Sequence, residues 1–318
     1  MAKAAKVKIG TRGSPLALAQ AEQVRSKLVA ARPELSAPGA VEIVTIRTSG
    51  DRIQDRALAD AGGKGLFTKE IDEALIAGTI DIAVHSMKDV PTVLPAGLVI
   101  PCVLAREDPR DVLIVRGGLA RAVRRFADLP HGATLGTSSL RRAAQALARR
   151  PDLKIVNLRG NVDTRLRRLD QGKADATLLA LAGLRRLGLV EATRGIVIET
   201  DEMLPAVGQG AIGVQTRAKD KRIAELVAAI HHRATGFAVA AERAVLERLD
   251  GSCRTPIAAL AVTRTFGRLR LDALVARPDG GKTLRTAREG AEVDAEAMGH
   301  DAGEELAREA GPNFFSVA

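Results

Sequence analysis

Short apolar runs alternate with amphipathic stretches through the first two thirds of the chain. Val7-Lys8-Ile9 is the first strand-like run, and Gly10-Thr11-Arg12-Gly13 follows it as a turn. Ser14 is placed to cap a helix and Pro15 to occupy its first position. Leu16, Leu18, Ala21, Val24 and Leu28 carry that helix to about Ala31, and Pro33 stops it. A strand is predicted over Val41–Ile46, running into Arg47. Residues 51–61 are polar and irregular, and a mobile segment is expected there. Gly62-Gly63-Lys64-Gly65 leads into a helix over 66–77, then come buried-strand patterns over 80–84 and 98–100. Strand and helix in alternation predict an α/β lobe with a largely parallel sheet.

A second lobe begins near Arg106-Glu107-Asp108-Pro109-Arg110. Strands are predicted over 111–115, 134–136, 154–158 and 176–180, with helices over 140–149 and around Leu166 and Leu169. The two lobes echo each other. Gly10-Thr11 with Ser14 and Gln20-Ala21 parallels Gly136-Thr137 with Ser139 and Gln145-Ala146. Ile46-Arg47 parallels Leu158-Arg159, and Gly78-Thr79-Ile80-Asp81 parallels Gly172-Lys173-Ala174-Asp175. Three matches in one order imply two similar lobes with a ligand cleft between them. The glycine-rich stretch from Leu204 to Gly213 reads as a buried crossover back to the first lobe. Helices over 222–231 and 237–249, three strand-like runs around Leu260, Leu271 and Leu284, and a helix over 294–309 make a small third domain. The expected division is 1–104 with 206–228, then 105–205, then 229–318.

Composition narrows the partners. No run approaches the ~18 apolar residues of a membrane span, and the start has no apolar stretch of a secretory signal. Two cysteines, Cys102 and Cys253, lie far apart, so a reducing cytoplasm is the default. The formal net charge of +10 attracts polyanions or multiply charged small molecules. Tyr and Trp are absent and Phe is rare, which removes the stacking platform for single strands. Duplex binding through backbone contacts stays open.

The chemistry gathers at strand ends and helix starts. His85-Ser86-Met87-Lys88-Asp89-Val90-Pro91 follows a buried strand and brings a hydroxyl, an ammonium and a carboxylate together where a sheet holds them rigidly. Ser14 and Ser139 stand at helix N-termini, which suit anions. Arg12, Arg141 and Arg142 stand beside those caps, and Arg159, Arg165 and Arg186 add guanidinium groups for carboxylate or phosphate. Arg149, Arg150, Arg167 and Arg168 are assigned to solvated helix faces. Cys253 lies on a tight loop, Gly251-Ser252-Cys253-Arg254-Thr255-Pro256. It reads either as an inert thiol or as a nucleophile or covalent attachment point.

Seven motifs in one order resemble the porphobilinogen deaminase (hydroxymethylbilane synthase) family. They are Gly-Thr-Arg-Gly-Ser-Pro-Leu-Ala from Gly10, Gly-Gly-Lys-Gly-Leu-Phe from Gly62, His-Ser-Met-Lys-Asp-Val-Pro from His85, Gly-Thr-Ser-Ser-Leu-Arg-Arg from Gly136, Leu-Arg-Gly-Asn-Val-Asp-Thr-Arg-Leu from Leu158, Pro-Ala-Val-Gly-Gln-Gly-Ala from Pro205, and Gly-Ser-Cys from Gly251. The resemblance covers about Lys8 to Pro256 strongly. It implies two α/β lobes like those of periplasmic binding proteins, around a cleft, plus a small C-terminal α/β domain. It implies a transferase that joins four porphobilinogen molecules head to tail with release of ammonia, in tetrapyrrole biosynthesis. The primer is a dipyrromethane cofactor, and the resemblance places its thioether on Cys253. Ser252 stands where the family usually has a second glycine, which reduces the loop's backbone freedom.

By the same resemblance Asp89 is the catalytic aspartate. Lys88, Ser86, Thr137, Ser139, Arg141 and Arg142 hold the cofactor, and Arg12, Ser14, Arg159, Arg165 and Arg186 serve substrate or chain elongation. Lys64 and Phe67 match a loop over the site. No metal is implied, and a cytoplasmic monomer with a small-molecule substrate, without nucleic acid or membrane, is expected. Two other classes fit the lobe echo and the charge, a non-enzymatic anion-binding protein and a nucleic-acid binder. A covalent dipyrrole adduct and ammonia release separate the enzyme from both.

Overall fold

The computed structural model describes residues 6–52, 65–119, 122–249 and 255–315. The chain opens with β1 (Val7–Arg12), α1 (Pro15–Ala31), β2 (Val41–Ile46), α2 (Ser49–Arg52), α3 (Lys69–Ile76), β3 (Ile82–Ser86) and β4 (Leu98–Val103). Next come β5 (Asp111–Val115), β6 (Thr134–Gly136), α4 (Leu140–Arg149), β7 (Lys154–Val156), α5 (Val162–Asp170), β8 (Ala176–Ala180), α6 (Leu181–Arg186), α7 (Val190–Thr193) and β9 (Ile196–Ile198). It closes with β10 (Ile212–Arg217), α8 (Lys221–Ala228), α9 (Arg233–Arg248), β11 (Ile257–Thr263), β12 (Arg268–Ala276), β13 (Thr283–Ala291) and α10 (Ala295–Ala310).

Local chemistry starts the helices. Ser14 Oγ accepts from Ala17 N at 3.3 Å, with Pro15 in the first turn. Ser139 and Asn161 cap α4 and α5 in the same way. The inward face of α1, with Ala21, Val24 and Leu28, packs on Val7, Ile9, Ile82, Val84, Ile212 and Val214 to form the core of the first lobe.

The fold is mixed α/β, with two sheet-containing lobes and a small C-terminal domain. The first lobe's sheet runs β2-β1-β3-β10-β4 and the second lobe's runs β7-β6-β8-β5-β9. In each, three adjacent strands are parallel, and a fourth enters antiparallel between the third and an edge strand. The sheets are therefore mixed rather than largely parallel. The inserted strands, β10 and β5, are not joined to their neighbours by the strand–helix–strand crossover that makes strands parallel. Neither β9 nor β10 is foreseen from the pattern. β9 is only three residues long, and the glycine-rich approach to β10 reads as a crossover.

The sequence echo extends to side chains. Asp81 Oδ2 accepts from Lys8 N at 2.9 Å and Asp175 Oδ2 accepts from Thr134 N at 2.9 Å. Arg217 Nη2 meets Asp81 Oδ1 at 3.3 Å, while Arg116 Nη2 meets Asp175 Oδ1 at 3.0 Å. Each aspartate thus ties the entrance of its lobe's third parallel strand to the first strand and to the end of the inserted one.

The C-terminal sheet is antiparallel, β11-β12-β13, and packs on α9 and α10. Ala258, Leu260, Leu274 and Ala276 share a core with Ala144 and Leu204 of the second lobe, and residues 108–210 group with 237–318 as one compact unit. Residues 211–236 group with the first lobe. Among the described residues, no helix is long and apolar enough to cross a membrane.

Candidate active site

In the first lobe β1 and β3 are parallel neighbours, so their carboxyl ends share one edge of the sheet, the usual ligand edge of an α/β lobe. Arg12 ends β1. Ser86 ends β3, and Met87–Asp89 form one 3-10 turn beyond it. That turn is anchored from below. Met87 is buried, its N–H donates to Ala211 O at 3.0 Å, and a Cβ at Gly213 would collide with its sulfur. Glycine at 213 lets Met87 sink under the turn, and the sunk methionine holds Asp89 at the exposed rim.

Arg12, Ser14, Gln20, Phe67, His85, Ser86 and Asp89 line one pocket. The Arg12 guanidinium lies 4.3 Å from the centre of the Phe67 ring, a cation–π contact that fixes its direction. Gln20 Nε2 donates to Ser86 Oγ at 2.7 Å. His85 is buried, its Nε2 lies 2.7 Å from Gln215 Oε1, and Gln215 Nε2 donates to Asp72 Oδ1 at 2.8 Å. Burial pulls the His85 imidazole below its ordinary pKa, against the opposing pull of Gln215, Asp72 and Asp89. The sequence-assigned Arg12, Ser14, Ser86, Phe67 and Asp89 are therefore gathered in one place. Lys88 is half-buried on the same turn and does not line the pocket. Lys64 lies outside the described residues.

In the second lobe the assigned residues again follow parallel strand ends. Thr137 and Ser139 follow β6, where Thr137 Oγ1 accepts from Ser139 N at 3.1 Å. Arg159 follows β7 and is buried, and Arg165 Nε donates to Gly160 O at 2.8 Å. Arg186 ends α6 and donates to Gly210 O at 2.7 Å. Arg141 and Arg142 are not on an open helix face. Both are buried on Asp111, which is itself fully buried. Arg142 Nη2 donates to Asp111 Oδ1 at 2.7 Å and Arg141 Nη1 stands 2.8 Å from Oδ2. Gln209 Nε2 adds a bond to Oδ1 at 2.9 Å. Burial alone would raise the Asp111 carboxyl, but the two guanidiniums outweigh it and hold the group well below the usual carboxylate range. Two cations on one anion leave a buried excess of positive charge, and Arg141 Nε has no hydrogen-bond partner among the described residues. Arg150, assigned to a solvated face, instead clamps Ala127 O, Leu129 O and Asp152.

Gln20, Asp72, His85, Gln215, Asp111 and Gln209 are residues that sequence reasoning leaves without a role. Gln20 carried a signal, a polar residue on the buried face of an amphipathic helix. Asp111 carried another, a charge opening the apolar run Val112-Leu113-Ile114-Val115. Cys102 is buried in the first lobe's core, and desolvation pushes its thiol up to about 12. Cys253 lies outside the described residues.

Comparison with known proteins bears on the whole chain. Residues 7–225 match the family model described as porphobilinogen deaminase, dipyromethane cofactor binding domain. Residues 237–308 match the porphobilinogen deaminase C-terminal domain. The chain is 57% identical over 311 residues to the porphobilinogen deaminase of Nitrobacter winogradskyi, covering 97% of this chain and 95% of that one. It is 55% identical over 309 residues to that of Paracoccus denitrificans, covering 97% and 96%. It is 54% identical over 317 residues to the chloroplastic porphobilinogen deaminase of Oryza sativa subsp. japonica, covering 99% and 87%. Matched along nearly its full length at more than half identity, the chain belongs to the porphobilinogen deaminase family, enzymes of the transferase class.

Proposed function

We propose that the chain condenses four porphobilinogen molecules head to tail into hydroxymethylbilane, with Asp89 carrying the charge on which each step turns. The carrying observation is the placing of Asp89, an exposed carboxylate on a rigidly anchored turn, at the rim of a pocket whose cation is Arg12. Porphobilinogen brings an acetate, a propionate and an aminomethyl group to that pocket. Arg12, held by Phe67, suits a carboxylate. When the protonated amine leaves as ammonia, the C–N bond breaks and positive charge spreads into the pyrrole ring. A fixed carboxylate beside the ring N–H stabilises that charge. The new C–C bond then forms at the methylene carbon, and the pyrrole α-carbon loses its proton, for which Asp89 is the placed acceptor.

The second lobe fits a polyanionic dipyrromethane. The buried excess charge at Arg141, Arg142 and Asp111 and the unpartnered Arg141 Nε both call for a carboxylate. With Ser139, Thr137 and Lys88 these arginines would hold the cofactor's acetate and propionate groups, while Ser14, Arg159, Arg165 and Arg186 receive those of the growing chain. The bound dipyrromethane supplies the pyrrole carbon to which the first substrate is joined. Cys253 is the attachment point in this reading. The other cysteine, Cys102, is buried and too weakly acidic to offer a thiolate. A cytoplasmic monomer acting on small anionic molecules completes the proposal.

Intact-protein mass spectrometry tests the tether, and porphobilinogen consumption tests the carboxylate. An adduct of two pyrrole units is expected, absent from Cys253→Ala. Asp89→Asn is expected to keep fold and adduct and lose most turnover. An active protein without an adduct, or near-normal turnover in Asp89→Asn, overturns the reading.

A further inference from the structure

The two lobes share strand order, and the pairings among their first, third and inserted strands share register, so buried positions on those strands have counterparts. The pairing of β10 with β4 alone shifts register, at Gln215. Ile9 faces Ile82 and Gly10 faces Ala83 in the first lobe, as Leu135 faces Ala176 and Gly136 faces Thr177 in the second. On the inserted strands Gly213 faces His85 and Gln215 faces Ala83, as Val112 faces Leu179 and Ile114 faces Thr177. His85 thus corresponds to Leu179 and Gln215 to Ile114. Asp72 and Leu166 stand at the same remove before the paired Asp81 and Asp175.

The second lobe fills these three places with apolar contact. Ile114 and Leu179 are buried in one cluster and Leu166 packs against it. The first lobe fills them with the hydrogen-bonded chain Asp72–Gln215–His85, its members 6%, 1% and 6% exposed. In the second lobe the same pairing of third and inserted strands closes without polar groups at these places, so that pairing alone does not call for them. Buried polar groups are also the weaker choice for stability.

Their chemistry is directional. The Asp72 carboxylate accepts, so the Gln215 NH2 faces it and Gln215 Oε1 faces His85. Nε2 of His85 therefore carries the hydrogen, and the neutral ring keeps a bare Nδ1. His85 lines the same pocket as Arg12, Ser86 and Asp89.

We propose that His85 is a positioning residue of this active site. The Asp72–Gln215 pair fixes which ring nitrogen carries the hydrogen, while burial keeps the ring neutral, so that no second cation forms beside Asp89. This rests on reading Asp89 as the charge-bearing group. The ionic groups acting on the imidazole are Asp72 from α3, Asp89 from the turn after β3, and Arg12 from β1. Protonation of His85 would place an imidazolium near Asp89, where it opposes the positive charge that grows on the substrate. The acid limb of turnover then follows His85. Removing the Asp72 charge disfavours the imidazolium and moves that limb to lower pH.

The test transplants the second lobe's solution into the first in the holoenzyme. Asp72→Leu/His85→Leu/Gln215→Ile is expected to keep its melting temperature and dipyrrole load while kcat falls at least tenfold and KM changes less. Asp72→Asn, which keeps the packing, is expected to shift the acid limb of kcat downward. Nitrogen-15 NMR of histidine-labelled wild type is expected to show His85 neutral and protonated on Nε2. Triple-variant turnover within twofold of wild type, an unmoved acid limb in Asp72→Asn, or an Nδ1–H tautomer each overturns the inference. If the triple variant does not fold, the single variant and the NMR decide. Wild type is assayed beside them. No wild-type turnover sinks the proposed function, whereas normal wild type with unaffected variants sinks this inference alone.

Discussion

Replacing Asp111 by asparagine tests the second lobe's charge chemistry with little change of shape. The carboxylate is fully buried, and its partners Arg141 and Arg142 are each 5% exposed. Asparagine keeps the volume and leaves two guanidiniums facing each other without their anion. Removing one member of a buried ion cluster costs about 3–5 kcal/mol. At about 2–4 °C per kcal/mol for a unit of this size, the melting temperature falls by roughly 6–20 °C. The pH dependence has a definite sign. The folded carboxyl is held below its unfolded value, so its contribution is full above about pH 4 and fades as pH falls toward the depressed folded value. The gap between wild type and Asp111→Asn is therefore wide at pH 7 and narrower at pH 3. Trp and Tyr are absent, so circular dichroism is the probe for urea unfolding at the two pH values. A loss under 1 kcal/mol at pH 7, or an equal gap at both pH values, refutes the account.

Other outcomes follow from single contacts. Gly299→Ala pushes a methyl into Ala241 O and to 2.6 Å from the Ala244 Cβ, so α9 and α10 must separate. A loss of about 1–3 kcal/mol is expected in chemical denaturation. Glu242 accepts from Gly208 N at 2.7 Å and Ala261 N at 2.8 Å, and Glu242→Gln can accept only one of them. One buried N–H then faces an NH2, costing about 1–3 kcal/mol and measurable as a lower urea midpoint. Ser139→Ala removes the α4 cap and is expected to cost about 1 kcal/mol, whereas Ser139→Gly costs a few tenths. Equal losses in the two Ser139 variants contradict the capping role.

Much of the architecture was legible in the chain. β2, β5, β6, α4 and β8 have the bounds that apolar spacing, Ser139 and the flanking turns predict. Errors arise where long-range partners decide. The third strand is expected over 80–84 but runs Ile82–Ser86. Asp81 is tied to Lys8 at the strand entrance, and His85 and Ser86 stay in the strand because β10 pairs with them, Gly213 facing His85 and Ile212 facing Ser86, while Gln215 and Gln20 bond their side chains from afar. Local pattern cannot supply those partners. The helix expected from Leu66 begins at Lys69, because residues 65–68 form a turn with Gly65 at a φ of +86°. At the site, the motif residues could be named from sequence. The burial of Arg141 and Arg142 on Asp111 could not, because the chain brings that carboxylate from thirty residues upstream on another strand.

The inserted strands carry a consequence for synthesis. Every strand of the second lobe's sheet lies between Asp111 and Ile198, so that sheet can close as soon as its own segment has emerged. The first lobe's sheet needs β10, made more than a hundred residues after β4, to fill the gap between β3 and β4. Until then a nascent chain shows two unpaired strand edges, the template for wrong pairing. The lobe that is translated first is thus the one completed last. A chain released before Ile212 would hold a finished second sheet beside an open first one.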